Sequence, residues 1–155
     1  ERFLRQQEAF TDVSEKLNTY ISRAADLSDY MPYIKPCFER GDAAQNYSRL
    51  IKEYNQIRDK INAEHAKDIS SVKHYWSSPG TALQLEKTYD YLLKEVHDDT
   101  FLLWIGKLYE YFTTTPPKAN QAQKVADSAQ VLMKQKLEEL KRQSEIIIEL
   151  MRDQI

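Results

Sequence analysis

Three short stretches of this chain carry side chains that could do chemistry. Glu64, His65 and Asp68 fall within about one helical turn, so they could approach a divalent cation together. His97-Asp98-Asp99 sets a histidine beside two carboxylates, the composition of a general acid–base site. Cys37 stands between Pro36 and Phe38 without a sequence signal for thiol activation, and is expected to be inert.

None of these stretches grows into a constellation. A carboxylate-bridged metal centre in a helical bundle needs a Glu-x-x-His pair on each of two helices. None of His65, His74 and His97 has a glutamate three positions before it. The sequence has no phosphate-cradling glycine loop, no Gly-x-Ser-x-Gly and no His-Glu-x-x-His. With 1 cysteine, neither an intramolecular disulfide nor a cysteine-based zinc site can form within one chain. We therefore expect no catalytic residue, no metal and no cofactor. His65 falls in an apolar stripe and reads as a buried, hydrogen-bonded core histidine, while Asp98 or Asp99 is expected to cap a helix that restarts after His97.

The elements that carry these residues read as helices. Phe3, Phe10, Leu17, Ala24 and Met31 share one heptad position, and Gln6, Val13, Tyr20, Leu27 and Ile34 share the position three residues on. All but Gln6 are apolar, the seam of a helix packed lengthwise in coiled-coil fashion. The first helix is expected over Arg2 to Tyr30, with Pro32 and Pro36 ending it and Met31 to Gly41 as a connector. Asp42 to Gln45 resembles a capping box opening a second helix with the stripe Tyr47, Leu50, Tyr54, Ile57, Ile61, His65, Ile69, Val72 and Trp76. That helix stops at Ser77-Ser78-Pro79-Gly80. Thr81 to Gln84 is a second capping-box candidate, before Leu85, Tyr89, Leu92 and Val96.

The phase then slips. The next apolar set, Phe101, Ile105, Leu108 and Phe112, starts five residues after Val96, which predicts a kink, a π-bulge or a break near His97 to Thr100. Thr113 to Pro117 forms the next boundary, and Asn120 to Gln123 is expected to cap a last helix. Its stripe is Ala122, Ala126, Ala129, Met133, Leu137, Leu140, Ser144, Ile147 and Met151. Four helices of this length, about 45 Å each, predict an all-α fold. The simplest packing is an elongated antiparallel four-helix bundle of long amphipathic helices, the third one kinked. One domain over 1–155 is expected. The chain starts at Glu1 and reads as amphipathic helix at both ends, so it is expected to be part of a longer protein.

A formal net charge of -2 argues against general nucleic-acid binding, which needs a dense cationic field. Lys134, Lys136, Lys141 and Arg142 are interleaved with Glu138, Glu139 and Glu145, and are expected to pair along one helix at spacing four. Tyr47 and Tyr54 read as core rather than phosphorylation sites, and the Asn46 sequon carries little weight without evidence of secretion. No apolar run reaches the ~20 residues of a membrane span. A cytoplasmic location is favoured over an extracytoplasmic receptor domain, and membrane contact is not indicated.

The expected function is a non-enzymatic scaffold or adaptor whose partner is a protein or a second copy of the chain. The alternatives are the ligand-sensing bundle of a membrane receptor and, ranked lower, a BAR-like membrane-binding dimer. The expected interaction surface is Phe101, Leu102, Leu103, Trp104, Leu108, Tyr109 and Phe112, because with Ile105 these residues ring nearly the whole helix, and Gly106 would let another backbone approach.

Overall fold

Helix α1, Arg2–Tyr30, forms where the seam is densest and no proline or glycine intervenes. Val13, Leu17, Tyr20, Ala24 and Leu27 are buried along it, while Phe3, at the outer end of the seam, lies exposed. The computed structural model describes residues 1–39, 41–114 and 118–155, with the backbone alone at 38 and 41–44. Every element among them is helical.

The expected connector after α1 is itself mostly helical. Met31–Tyr33 is a 3₁₀ turn and Ile34–Glu39 is helix α2. Pro32 and Pro36 sit in the first turns of these pieces, where a missing N–H breaks no internal bond. Side chains of the last helix, α6, Ala119–Asp153, add hydrogen bonds to this stretch. Gln130 Nε2 donates to the Ser28 carbonyl at 2.8 Å, and Gln123 both accepts from the Lys35 N–H (2.7 Å) and donates to the Met31 carbonyl (3.1 Å). Gln123 thus acts as a brace, not as the expected cap, and no side chain caps the start of α6.

Helix α3, Gly41–Tyr75, carries its stripe into the core through Tyr47, Tyr54, Ile57, Ile61 and Val72, with Trp76 buried just beyond its end. The capping box expected at Asp42 to Gln45 rests on side chains outside the described residues. At the other end the Tyr75 carbonyl accepts from Arg2 Nε (3.2 Å), Arg2 Nη2 (3.1 Å) and Gln6 Nε2 (2.6 Å), which satisfies a terminal carbonyl that the helix cannot. This also explains why Gln6, the polar member of the α1 seam, is buried.

The third rod is continuous in three pieces: α4, Pro79–Asp90; a π-helical segment, Tyr91–Leu102; and α5, Leu103–Thr113. Pro79 opens α4 behind Ser78, so Thr81 is not its cap; it is buried inside the helix and accepts a hydrogen bond from Gln154 Nε2 at 2.8 Å. The five-residue slip takes the form of π-helix, whose i→i−5 bonding stacks residues five apart. Val96 and Phe101 therefore both face inward, and the Thr100 hydroxyl bonds the Glu95 carbonyl five residues back at 2.9 Å. The helix does not restart at His97, and Asp98 and Asp99 are exposed within the segment rather than capping a new one. Of the boundary expected at Thr113 to Pro117, residues 115–117 lie outside the described residues.

In α6 the entire predicted stripe from Ala122 to Met151 is buried. Its outer ion pairs differ from those expected. Arg142 pairs with Glu139 three residues away, and Lys136 reaches across to Glu95 of the π-helical segment at 2.9 Å. These exposed contacts contribute little to stability. The result is a helical bundle with one main core.

Candidate functional site

The most unusual chemistry lies inside the bundle. Lys16, on α1 between Val13 and Leu17 of the seam, is only 2% exposed. Its ammonium lies 2.7 Å from Asp12, 2.6 Å from Glu64 and 2.9 Å from Asp68. Asp12 is one helical turn before Lys16, and Glu64 and Asp68 are one turn apart on α3, so two short spacings aim three carboxylates at one cation. The Tyr89 hydroxyl of α4 donates to Asp68 at 2.7 Å, tying the third rod into the same cluster.

One ammonium serves three acids, and the acids respond differently. Burial of Lys16 disfavours its charge, but the hydrogen bonds it donates to Asp12, Asp68 and Glu64 outweigh this and raise its pKa. Burial pushes Asp12 up, and its hydrogen bond to Lys16 brings it to a net value below the usual range. Glu64, at the solvent edge, is lowered by its bond to Lys16. Asp68 goes the other way: burial raises it despite Lys16 and Tyr89. A lysine held this firmly protonated is no nucleophile or general base at neutral pH. The cluster instead neutralises charge in the core and joins three helices.

Glu64 and Asp68 thus converge as their spacing suggests, but on Lys16. His65 does not join them. It is half-buried rather than buried, its Nδ1 lies 3.2 Å from the Ile61 carbonyl and 2.9 Å from the Asn62 carbonyl of its own helix, and its ring meets Tyr89 edge-on. Among the described residues no group of three or more His, Cys, Asp or Glu side chains is placed to hold a metal ion.

A second polar chain crosses the core further along. The Tyr20 and Tyr54 hydroxyls are 2.7 Å apart, and Tyr54 Oη lies 2.7 Å from Nδ1 of the buried His97. The Tyr54 ring stacks on Phe101 at 5.1 Å between centroids. Burial and then the Arg58 guanidinium hold His97 below the ordinary histidine value, against the opposing pull of Asp98 and Asp59. Burial raises both tyrosines well above theirs. Cys37 is buried, near the Tyr30 hydroxyl at 3.2 Å; burial raises its pKa in spite of that contact, away from the reactive thiolate.

The predicted interaction residues divide. Phe101 and Leu108 are fully buried and belong to the core. Trp104, Ile105 and Phe112 are half-buried against it, whereas Leu102, Leu103 and Tyr109 are 54%, 51% and 67% exposed. Sequence reasoning missed Lys16 altogether because a lone lysine beside a seam reads as solvated. The signal that could have found it was the pair of i,i+4 spacings, Asp12 with Lys16 and Glu64 with Asp68. Comparison with protein-family models, with curated proteins and with solved structures gave no match.

Removing only the Tyr89 hydroxyl isolates one joint of the cluster. Tyr89→Phe is expected to cost about 1–3 kcal/mol, since Asp68 keeps its charge and loses a buried donor. Urea denaturation should show the midpoint fall at unchanged slope. No change would mean that the contact adds nothing to Lys16.

Proposed function

We propose that this chain is a non-enzymatic helical scaffold or adaptor module that docks a protein partner, or a second copy of itself, through the outer face of α5 and the end of the π-helical segment before it. The carrying observation is an apolar strip at helical spacing: Leu102, Ile105 and Tyr109 with Gly106 among them. A Cβ built on Gly106 would meet nothing within 4 Å. Backbone is therefore bare at the middle of the strip, where a partner helix could approach closely. Leu103 and Trp104 flank it, with the Lys107 ammonium 4.7 Å from the Trp104 ring centroid.

The four rods are read as antiparallel neighbours. Rising numbers in α1 meet falling numbers in α3 (Gln6 with Tyr75, Lys16 with Asp68, Arg23 with Glu53), and in α6 (Phe10 with Arg152, Ser28 with Gln130). The third rod meets α3 in the same sense through Asp68 with Tyr89 and Tyr47 with Phe112. A change of axis direction at the π-helical segment belongs to this reading, since such segments are common sites of helix bending.

Sedimentation and light scattering over a concentration series test the docking face. Leu102→Asp with Tyr109→Asp, and separately Leu103→Asp with Trp104→Asp, are expected to weaken association about tenfold or more, a change of about 1.4 kcal/mol, with far-UV circular dichroism unchanged. Association that survives both double substitutions overturns the assignment. Gly106→Ala should stabilise the isolated monomer by up to about 1 kcal/mol, because the helix gains a better former and nothing obstructs the methyl.

A second reading is a ligand-sensing bundle of a membrane receptor. It is supported by the meeting of Arg2 and Gln6 of α1 and Met151 of α6 at the same place, Tyr75 and Trp76. Helices entering and leaving at one end could continue into membrane segments. Among the described residues no helix is long and apolar enough to cross a membrane. Apolar segments of ~20 residues flanking this region in the full-length protein would support the reading, and their absence would remove it.

A further inference from the structure

His97 lies in the middle of the π-helical segment with its Nδ1 facing Tyr54 of α3, which in turn faces Tyr20 of α1. All three side chains are buried. A neutral imidazole protonated on Nε2 leaves Nδ1 as an acceptor, so the protons run one way: Tyr20 donates to Tyr54, and Tyr54 donates to His97. An imidazolium cannot accept. Its Nδ1–H would donate to Tyr54, Tyr54 would turn its proton toward Tyr20, and the Tyr20 hydroxyl proton would have no acceptor among these three side chains. On the other side of the ring Nε2 lies 3.9 Å from Oδ1 of the exposed Asp98.

The segment that holds His97 has an alternative register. Ordinary α-helical bonding through 91–102 would turn the Phe101, Leu108 set away from the Leu85, Leu92 set, so the i→i−5 register is held by what faces inward at its centre. Those groups are His97, Thr100 with its bond to Glu95, and Phe101 stacked on Tyr54.

We propose that His97 is a proton-operated latch, which when neutral fastens the π-helical segment to α3 and α1, and when protonated turns toward Asp98 and frees the segment and α5 beyond it. The other charged groups set its working range. From α3, Arg58 opposes protonation and Asp59 favours it; Asp98 on the segment itself favours it. On the α6 side Lys136 is engaged by Glu95. Because the folded-state value is depressed below ~6.5, the unfolded or released state binds the proton more readily, and the fastened state loses stability as pH falls from about 6.5. Any effect on docking rests on the function proposed above; the latch itself does not.

The test uses a Trp76→Phe background, leaving Trp104 as the tryptophan reporter just beyond the segment. Trp104 emission, amide protection factors over 91–102 and the His97 imidazole resonance are followed from pH 8 to pH 5. Protection is expected to fall on the order of tenfold per unit of separation between the two pKa values, with emission changing in step. His97→Gln should abolish the transition, whereas His65→Gln with His74→Gln should leave it. Asp98→Asn should move the midpoint down. Tyr54→Phe, which keeps the ring on Phe101 but removes the donor to Nδ1, should move it up. These opposite shifts carry the test if His97→Gln fails to fold. Protection factors that stay flat in the parent, an unchanged transition in His97→Gln, or midpoints that do not separate in opposite directions would overturn the latch, whatever the association measurements give.

Discussion

Replacing Lys16 with Met is expected to destabilise the protein by about 3–5 kcal/mol, the cost of leaving a buried ionic cluster without its counter-charge. Apolar volume is nearly conserved by this change, so the loss reports charge rather than packing. Asp68 suffers most, because Asp12 and Glu64 reach the solvent edge and it does not. Urea denaturation at pH 7 measures the loss directly. A change under about 1 kcal/mol would show that water or rearrangement satisfies the carboxylates without Lys16, at odds with the usual cost of an unpaired buried charge.

The pH dependence of that loss separates the acids. In the parent, Asp12 and Glu64 have depressed values, so the stability they contribute is present above about 4 and is lost as pH falls through their folded values. Asp68 has a raised value; its ionisation costs stability above about 4, and protonation relieves that cost. Without Lys16 the first contribution vanishes and the second grows. The gap between variant and parent should therefore narrow as Asp68 is protonated between about pH 7 and 4, and close further below about 4 as Asp12 and Glu64 are protonated. Asp68→Asn added to Lys16→Met should recover part of the loss at pH 7, and a double variant no better than the single one would place the cost elsewhere.

The second large effect is expected from the core. Leu17, Leu92 and Leu140 are fully buried on three different rods, and each truncation to Ala should cost about 2–5 kcal/mol as transfer free energy plus an unfilled cavity. Ile57 is buried less completely beside the surface groove between α1 and α3, so Ile57→Ala should fall at the lower end of that range. Far-UV circular dichroism should keep its helical signature while denaturation midpoints fall. Unchanged stability in all four would discard this core. Leu92 has a further use, since it is buried in the first turn of the π-helical segment; amide protection over 91–102 should drop more in Leu92→Ala than in Leu140→Ala.

Hydrophobic spacing alone determined most of the elements. The bounds of α1 follow from a seam uninterrupted up to Pro32, the stripe of α6 is buried at every predicted position, and the slip between Val96 and Phe101 announced an irregular helix. These features are local, set by periodicity and by proline's missing N–H. Spacing also predicted too much at the edges: Phe3 extends the seam beyond the point where a neighbour covers it, and the capping patterns at Thr81 to Gln84 and Asn120 to Gln123 gave no cap.

The tertiary structure decided which polar groups went inside. Lys16 is one lysine among many until α3 presents Glu64 and Asp68 to it, and His97 is a histidine beside two exposed acids until Tyr54 reaches its Nδ1. Burial of a charge or an imidazole is tolerable only when partners distant in sequence complete its hydrogen bonds, and those partners are set by how the helices are aligned. The same holds for the α5 strip, where composition marked a belt of apolar residues and only packing separated Phe101 and Leu108 inside from Leu102, Leu103 and Tyr109 outside. Periodicity gives the face of a helix that is apolar, but which part of that face meets a neighbour depends on the neighbour's position in space.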